Sequence, residues 1–468
     1  MPHVEETTKV RGRLRHTRLF AGIAAAALAL SACTPGASES ADTGGTTTTT
    51  PEATSGISKE FPSDVPINLT LATFETGGPA DALEAIIAAF EEKHPNVSIE
   101  AQYTSFNDYP QRIRLQMTGD DAPDIAQAGQ AFVHMGFLVE GETLLPLDDY
   151  AELYGWADRF GAGLLDQSRF EPGGKKFGSG DLYGVSKGGN MVGIYFNRTV
   201  LDELGVSVPF NTMAEFQAAL EAAKAAGYIP MALGNADQWP ANHTLSVLIS
   251  QYCDNSEMLG WIFGNDGADF TAPCFQEAAS LMESWARDSL IDPAANGLSF
   301  EDGINRFAEG NSAFFVTGNW ALATMQEKLG DNVGFTGFPG VTPGSPARAT
   351  GATVSPFGIS AKTEWPDVAA AFIDFMTGPE TWEIRKNIGG YTPLISGLEV
   401  DTPTPLLEEF YEVWDAVIRD DGLTLFLDWS TVGMGNVMFP AIQEMLAGRI
   451  SAETLTQQIQ AEWETGRG

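Results

Sequence analysis

The segment Phe307–Trp320, FAEGNSAFFVTGNW, contains the end of a helix, a short strand and a turn, in that order. A helical apolar face leads into the segment, and Gly310 is the kind of residue that ends a helix. The apolar run Ala313–Val316 predicts a strand that is buried on both faces, as in α/β proteins. Ligands of such proteins bind beyond the carboxyl ends of the strands, so Gly318–Trp320 is a candidate binding turn.

Two interpretations of Trp320 remain open on this segment alone. Beside Gly318, the indole would present a flat apolar face next to accessible backbone, which suits a ligand platform. Alternatively, Trp320 is the first core residue of the next helix, together with Leu322 and Met325. The rest of the chain has to decide between a platform and a core residue.

Length and charge limit the possible functions. The chain has 468 residues and is 43% hydrophobic, which is enough for two or three domains with sizeable cores. Its formal net charge is −36 at pH 7. Such a charge repels phosphate backbones and anionic lipids, and therefore argues against nucleic acid or an anionic membrane surface as a partner.

The N-terminus has the features of an export signal. Five basic residues precede the apolar run Leu19–Leu30, which is too short for a stable membrane span. The run ends in Leu30-Ser31-Ala32-Cys33, which resembles the bacterial lipobox. This resemblance implies that residues 1–32 are a signal peptide and that Cys33 carries a lipid at the extracytoplasmic face of the membrane. The Ser/Thr/Gly-rich residues 33–63 predict a flexible tether.

The cysteine count then leaves one pair. If Cys33 is lipidated, Cys253 and Cys274 remain, and an exported protein is in a compartment that permits disulfides. We therefore predict that Cys253 and Cys274 form a disulfide.

The folded part begins with a βαβ pattern. Alternating apolar residues from Ile67 predict a strand, a helix face follows, and a second strand begins near Val97. Glu75 lies at the carboxyl end of the first strand, where it is either a binding group or a solvated loop carboxylate. Gln127 and Gln130 follow a later short strand, and their amides can both donate and accept hydrogen bonds.

A polar segment, Asn235–His243 or NADQWPANH, contains a second Trp. We expect a loop here, because Trp239 beside Pro240 is unsuited to the interior of a regular element. Trp239 is then either a ligand platform or a cover over the core. Trp429 and Tyr391 are further candidates because both lie in predicted loops.

The order of these local patterns resembles the extracellular solute-binding proteins of sugar ABC importers, the group that includes maltose-binding protein, over about residues 65–468. The segments that carry this resemblance are Phe90-Glu91-Glu92-Lys93-His94-Pro95, Ala122-Pro123-Asp124-Ile125, Tyr183-Gly184-Val185, Tyr195-Phe196-Asn197-Arg198, Gly318-Asn319-Trp320, Ala370-Ala371-Phe372-Ile373-Asp374-Phe375 and Ala447-Gly448-Arg449. Each segment alone is weak evidence for the resemblance, but their order behind a lipobox supports it.

The resemblance implies an α/β, periplasmic-binding-protein-like fold of type II, with two lobes joined by hinge strands and a ligand cleft between them. The chain would cross between lobes near Tyr183–Asn190, near Gly337–Gly340 and near Tyr391. The implied lobes are residues 64–187 with 340–390, and residues 188–339 with 391–468.

The function implied by the resemblance is binding of a mono- or oligosaccharide and its delivery to the permease of an ABC importer, by a monomer without cofactor or catalysis. Amides at Gln127–Gln130, where maltose-binding members have an aromatic and a carboxylate, argue against maltodextrin. Lys187, the one cation in the candidate loops, argues against a polyanionic ligand. The predicted ligand-binding residues are Glu75, Gln127, Gln130, Asn190, Trp239, Asn242, Trp320, Gly351, Tyr391 and Trp429.

Three alternatives remain. The ligand could be a polyamine, an amino acid or a chelate, and a polyamine site would need several carboxylates around the aromatic residues. An exported glycosidase would need two facing carboxylates, which no predicted loop supplies. No Gly-x-Ser-x-Gly elbow or zinc-spaced His pair is present either. A lipoprotein that acts only as an adhesin or sensor is the third.

Overall fold

The structure is a computed structural model that describes residues 56–466 apart from residues 133, 161 and 393–403. The predicted signal peptide, the predicted lipidation site Cys33 and most of the predicted tether lie outside the described residues. Residues 56–63, the end of that tether, form no helix or strand.

The first of two main sheets, here called the small sheet, is built around the strand Ile67–Thr73. Parallel neighbours lie on both of its sides, and one antiparallel strand closes the edge. In order across the sheet the strands are Phe357–Ile359, Ile125–Gln127, Ile67–Thr73 and Val97–Tyr103. The chain therefore passes from one side of the central strand to the other, which creates a crevice at the carboxyl ends of two neighbouring strands.

The second main sheet, the large sheet, is centred on Gly189–Asn197. In order its strands are Leu423–Thr424, Ala349–Thr353, Gly189–Asn197, Ser312–Gly318 and Ile229–Ala232, and Val333–Thr336 also pairs with Gly189–Asn197. The strand predicted in the opening segment is Ser312–Gly318, and it is buried along its whole length as expected. Gly310 ends the preceding helical turn with a φ of 82°, a conformation that favours glycine.

Helices flank both sheets, which gives the two α/β lobes that the sequence predicts. Those that precede the first crossing, or lie between Phe357–Ile359 and Tyr391, are Gly78–Lys93, Tyr109–Thr118, Met135–Glu140, Asp148–Tyr154, Trp156–Phe160, Ala162–Leu165, Pro366–Thr377 and Trp382–Asn387. The helices connected to the large sheet are Arg198–Leu204, Met213–Ala225, Trp239–Tyr252, Asn255–Ile262, Pro273–Arg287, Phe300–Arg306, Leu322–Leu329, Pro405–Arg419, Met434–Leu446 and Ala452–Gly466. Two short strands, Arg169–Phe170 and Asp181–Leu182, pair with each other.

The helix Gly78–Lys93 illustrates how the sequence builds these layers. Pro79 occupies its first turn, where the missing N–H has no helical partner to lose. Leu83, Ile86 and Phe90 recur at helical spacing and are buried. They belong to the same apolar cluster as the small-sheet strands, so burial of this face stabilises both helix and sheet.

The chain segments between the lobes run beside one another. Val185 pairs with Phe357, Val354 N–H donates to the carbonyl of Gly188, and Gly189 forms a bridge with Thr392. A Cβ on Gly189 would lie 2.3 Å from Thr392 Oγ1. The segment around Thr392 can therefore pack here only because residue 189 is a glycine.

The strand pairing differs from the predicted position of the second crossing. Ala349–Thr353 pairs with Gly189–Asn197 in the large sheet, and the chain reaches the small sheet only at Phe357–Ile359. The crossing expected near Gly337–Gly340 therefore lies further along the chain. Short buried strands look alike in sequence, and which sheet they join is decided by long-range hydrogen bonds. The exact lobe boundaries stay a prediction.

The expectation of a loop over Asn235–His243 is wrong at its second half. A helix, Trp239–Tyr252, begins at Trp239 and has Pro240 in its first turn. Proline is compatible with that position because the first N–H groups of a helix lack partners. The segment is therefore a tight turn followed directly by a helix.

Within the described residues, no helix is both long enough and apolar enough to cross a membrane.

Cys253 and Cys274 form a disulfide between the end of the helix Trp239–Tyr252 and the first turn of the helix Pro273–Arg287. We expect the double variant C253S/C274S to lose about 3 kcal/mol of unfolding free energy, because the bond restricts the unfolded chain over a separation of 21 residues. Urea unfolding of both proteins measures this. Two free thiols in the unfolded, unreduced mature protein would contradict the pairing.

Candidate binding site

The crevice of the small sheet lies between the ends of Ile67–Thr73 and Ile125–Gln127. Gln127 joins these two ends, because its Oε1 accepts hydrogen bonds from Thr73 Oγ1 at 2.6 Å and from Phe74 N–H at 3.1 Å. Its Nε2 donates to Glu75 Oε1 at 2.8 Å. The amide predicted to bind ligand therefore fixes the loop that carries Glu75.

Glu75 is also the centre of a contact between the lobes' connecting segments. Lys187 Nζ forms an ion pair with Glu75 Oε1 at 2.8 Å, and Tyr391 OH donates to Glu75 Oε2 at 3.1 Å. Lys187 belongs to the first crossing segment and Tyr391 to the last. Lys187 and Tyr391, which are far apart in sequence, thus meet on the Glu75 carboxylate at the hinge.

The charges of this cluster are buried. The Lys187 side chain is 0% exposed and the Glu75 side chain 9% exposed. Aromatic faces of Phe357 and Tyr391 lie 5.1 and 5.0 Å from the ammonium. Burial lowers the pKa of Lys187, and the Glu75 carboxylate opposes that shift. Burial raises the pKa of Tyr391 well above its ordinary value, so its hydroxyl remains a donor.

The large sheet presents aromatic side chains at its facing edge. Ile229–Ala232 and Ser312–Gly318 are parallel, so their carboxyl ends lie at the same edge. The chain continues from these ends into the turns that carry Trp239 and Trp320, respectively. Both indoles are half-buried. The convergence of the two Trp residues therefore follows from the parallel pairing of two strands.

These indoles belong to a continuous row of aromatic contacts, here called the aromatic seam. Its ring-centroid distances are Phe74–Phe106 5.2 Å, Phe106–Trp239 5.8 Å, Trp239–His243 5.0 Å, His243–Trp320 5.1 Å, His243–Phe426 5.1 Å, Phe426–Trp429 5.6 Å and Trp429–Phe177 6.4 Å. Phe74, Phe106 and Phe177 precede the first crossing and belong to the lobe built on the small sheet, here called the small-sheet lobe. The other rings belong to the lobe built on the large sheet, the large-sheet lobe. The seam therefore runs between the lobes.

The turn before Trp239 is strained and held by amides. Gln238 has a φ of 71°, which is rare for a residue other than glycine. Gln238 Nε2 donates to Gln443 Oε1 at 3.1 Å, and Gln443 Nε2 donates to the carbonyl of Asn235 at 2.7 Å. Asn107 Nδ2 reaches across from the small-sheet lobe to Asp237 Oδ1 at 2.9 Å. The position of Trp239 thus depends on polar contacts from two distant parts of the chain.

Asn242, which precedes the seam residue His243, is joined to the residue that precedes Trp429. Asn242 Nδ2 donates to Asp428 Oδ1 at 2.8 Å, and Trp429 is 5% exposed. Burial raises the pKa of Asp428 to about 6, against the opposing effect of the Asn242 hydrogen bond.

The remaining candidates surround the strand Ala349–Thr353. Gln130 Nε2 donates to the carbonyl of Thr353, and Asn190 Oδ1 accepts from Ala352 N–H at 3.0 Å. Gly351 is buried, and a Cβ there would lie 2.1 Å from the carbonyl of Asn190. In this structure these groups hold the strand in place. Ligand contact by Gln130, Asn190 and Gly351 stays a prediction.

The structure thus brings Glu75, Gln127 and Tyr391 into one polar cluster, and Trp239, Trp320 and Trp429 into one aromatic row. The pairing of Lys187 with Glu75 is not among the predictions from sequence. Phe106, His243 and Asp428 are not among the predicted site residues either, although His243 lies within the segment NADQWPANH. A signal for His243 was available, because it follows Trp239 by four residues, the spacing of one helix face.

The chain belongs to the family of bacterial extracellular solute-binding proteins, whose model matches residues 76–381. It is 25% identical over 350 residues to the multiple sugar-binding protein of Streptococcus mutans, an alignment that covers 72% of this chain and 78% of that relative. It is 23% identical over 405 residues to the melibiose/raffinose/stachyose-binding protein MelE of Bacillus subtilis, with 84% and 88% covered.

Solved structures share the fold. A chitin oligosaccharide binding protein superimposes with a TM-score of 0.74 at 21% identity, covering 86% of this chain and 99% of its own. The solute-binding protein RafE in complex with raffinose superimposes with a TM-score of 0.68 at 19% identity, covering 86% and 100%. The predicted two-lobed α/β fold is therefore confirmed.

The ion pair at the hinge gives a stability prediction. We expect Lys187→Met to cost about 3–5 kcal/mol of unfolding free energy, because it leaves the Glu75 carboxylate buried without a cation. The double variant K187M/E75Q should recover part of this loss, since the glutamine is neutral and keeps polar partners. Urea unfolding of the three proteins tests both expectations. A K187M variant within about 1 kcal/mol of the wild type would contradict them.

Asp428 gives a pH prediction. Its pKa is about 6 in the folded protein against an ordinary value of 3.8, so the folded state binds the proton more tightly than the unfolded state. The unfolding free energy contributed by this group therefore falls as pH rises from about 4 to 6. Relative to the wild type, D428N should gain stability over that range, by about 3 kcal/mol at most. Parallel unfolding curves at pH 4, 5, 6 and 7 measure the difference, and a constant difference would contradict it.

Proposed function

We propose that this protein binds a neutral mono- or oligosaccharide in the aromatic seam between its lobes and delivers it to the permease of an ABC importer. The observation that carries the proposal is the pair of half-buried indoles, Trp239 and Trp320, placed together at one edge of the large sheet. Sugar rings expose C–H patches that pack on aromatic faces.

Polar groups near the seam suit hydroxyls. Sugar hydroxyls need paired donors and acceptors, because an unpaired buried polar group costs about 1–3 kcal/mol. Asp237 and Asn242 are close in sequence to Trp239 and His243, and Asp428 directly precedes Trp429. The nearby cation Lys187 is already neutralised by Glu75, which favours a ligand without negative charge. Two relatives of this chain, described above, are named as sugar-binding proteins, which points to a sugar as well.

The proposed mechanism is closure of the lobes about the hinge. The connecting segments lie side by side at Gly188, Val354 and Thr392, so small backbone rotations there would move one lobe against the other. A sugar between the lobes would make contacts with both and so favour the closed form. Lipidation at Cys33 would keep the protein near the permease. This function requires no catalytic step.

The sugar platform is tested by Trp239→Ala and Trp320→Ala. We expect each variant to weaken binding about 10- to 100-fold, because removal of an indole takes away about 1.4–2.8 kcal/mol of apolar contact. Isothermal titration calorimetry with raffinose, stachyose, melibiose, galactose and a chitin oligosaccharide measures the change. Spermidine serves as the representative of the polyamine alternative.

The matched control is Trp365→Ala. Trp365 is also half-buried, but it lies beside the helix Pro366–Thr377 and packs against the small-sheet core. Its variant should keep wild-type affinity. If folded W239A and W320A both bind these sugars as tightly as the wild type does, the indoles are core residues and the proposed site is wrong. Binding of spermidine without any sugar would favour the polyamine alternative.

A further inference from the structure

His243 occupies the centre of the aromatic seam. It lies one helical turn after Trp239, so both side chains project from the same face of the helix Trp239–Tyr252. Its ring centroid is 5.0 Å from that of Trp239, 5.1 Å from that of Trp320 and 5.1 Å from that of Phe426. His243 is therefore the polar ring that joins the two proposed sugar platforms.

The Nδ1 atom of His243 is buried and has no hydrogen-bond partner among the described residues. Neighbouring polar groups are committed elsewhere, because Asn242 donates to Asp428 and Gln238 donates to Gln443. A buried polar atom without a partner reduces stability. The three ring neighbours are all aromatic, and such contacts do not require an imidazole rather than another aromatic ring.

The imidazole is also uncharged. Burial lowers the pKa of His243 to about 3, so at neutral pH one ring nitrogen donates and the other accepts a hydrogen bond. A neutral imidazole suits a hydroxyl, which can take either role. It would not attract an anion, in agreement with the neutral ligand proposed above.

We propose that Nδ1 of His243 hydrogen-bonds a hydroxyl of the sugar that packs on Trp239 and Trp320, and that His243 is thereby a specificity-determining residue of the site. This inference rests on the proposed function. The indoles supply apolar contact that many sugars can use. The imidazole would add a directional contact that selects sugars with a hydroxyl at the matching position.

The test compares two substitutions that separate shape from hydrogen bonding. His243→Phe keeps an aromatic ring and removes both nitrogens. His243→Asn keeps a polar atom close to the position of Nδ1 and loses the ring. The matched control is His94→Phe, because His94 is also a half-buried histidine between two aromatic rings, Phe61 and Phe90 at 5.1 and 4.6 Å, far from the seam.

The sugar panel consists of the raffinose, stachyose, melibiose, galactose and chitin oligosaccharide used above. Each protein is titrated calorimetrically with raffinose and with the sugar of this panel that the wild type binds most tightly. Its melting temperature is measured without sugar. For H243F we expect the Kd to rise at least tenfold, while the melting temperature of the unliganded protein stays equal or rises. H243N should recover part of the lost affinity. H94F should leave the Kd unchanged.

Two results would overturn the inference. If H243F keeps wild-type affinity, His243 is a packing residue. If H243F lowers affinity and melting temperature together and H243N recovers neither, the imidazole serves the fold and not the ligand. If H243F does not fold, the titration of H243N alone tests the proposed contact. In that case, ratios of Kd among the panel sugars equal to those of the wild type would contradict the contact. A wild-type protein that binds no sugar in the panel refutes the proposed function, and this inference with it.

Discussion

The ion pair between Glu75 and Lys187 is the contact on which the geometry of the site depends. A buried charge is stable only with a partner, so Glu75 and Lys187 hold each other in place. Glu75 follows the central strand of the small sheet, Lys187 lies in the first connecting segment, and Tyr391 in the last bonds the same carboxylate. Any movement of the lobes about the hinge must take place around this cluster.

The aromatic seam differs from the hinge cluster in the kind of contact that holds it together. Its contacts are apolar and only weakly directional, so the rings can separate and meet again without leaving charges unpaired. Trp239 and Trp320 are half-buried, whereas Trp429 is almost completely covered. Paired polar groups thus fasten the hinge, whereas Trp239 meets Phe106 of the small-sheet lobe through an apolar ring contact. His243, the histidine of this row, has a buried nitrogen without a described partner.

Local patterns predicted much of this architecture. The strand at Ala313–Val316 and the helix end at Gly310 followed from burial and glycine chemistry, which act over a few residues. The start of the helix at Trp239 differs from the predicted loop, because proline disrupts the interior of a helix but is compatible with its first turn. The assignment of Ala349–Thr353 to a sheet also needed pairing partners that lie far away in sequence.

The two lobes were expected only from the resemblance to a known family. By itself the sequence determined the α/β class, the opening βαβ unit and the positions of the Trp residues at strand ends. These features depend on periodicity and on turn chemistry, which neighbouring residues set. Only the tertiary structure decided which polar side chains are already paired. Lys187 and Glu75, 112 positions apart, cannot be matched by any local pattern. Whether a side chain binds a ligand or another residue depends on contacts that form only when distant segments meet.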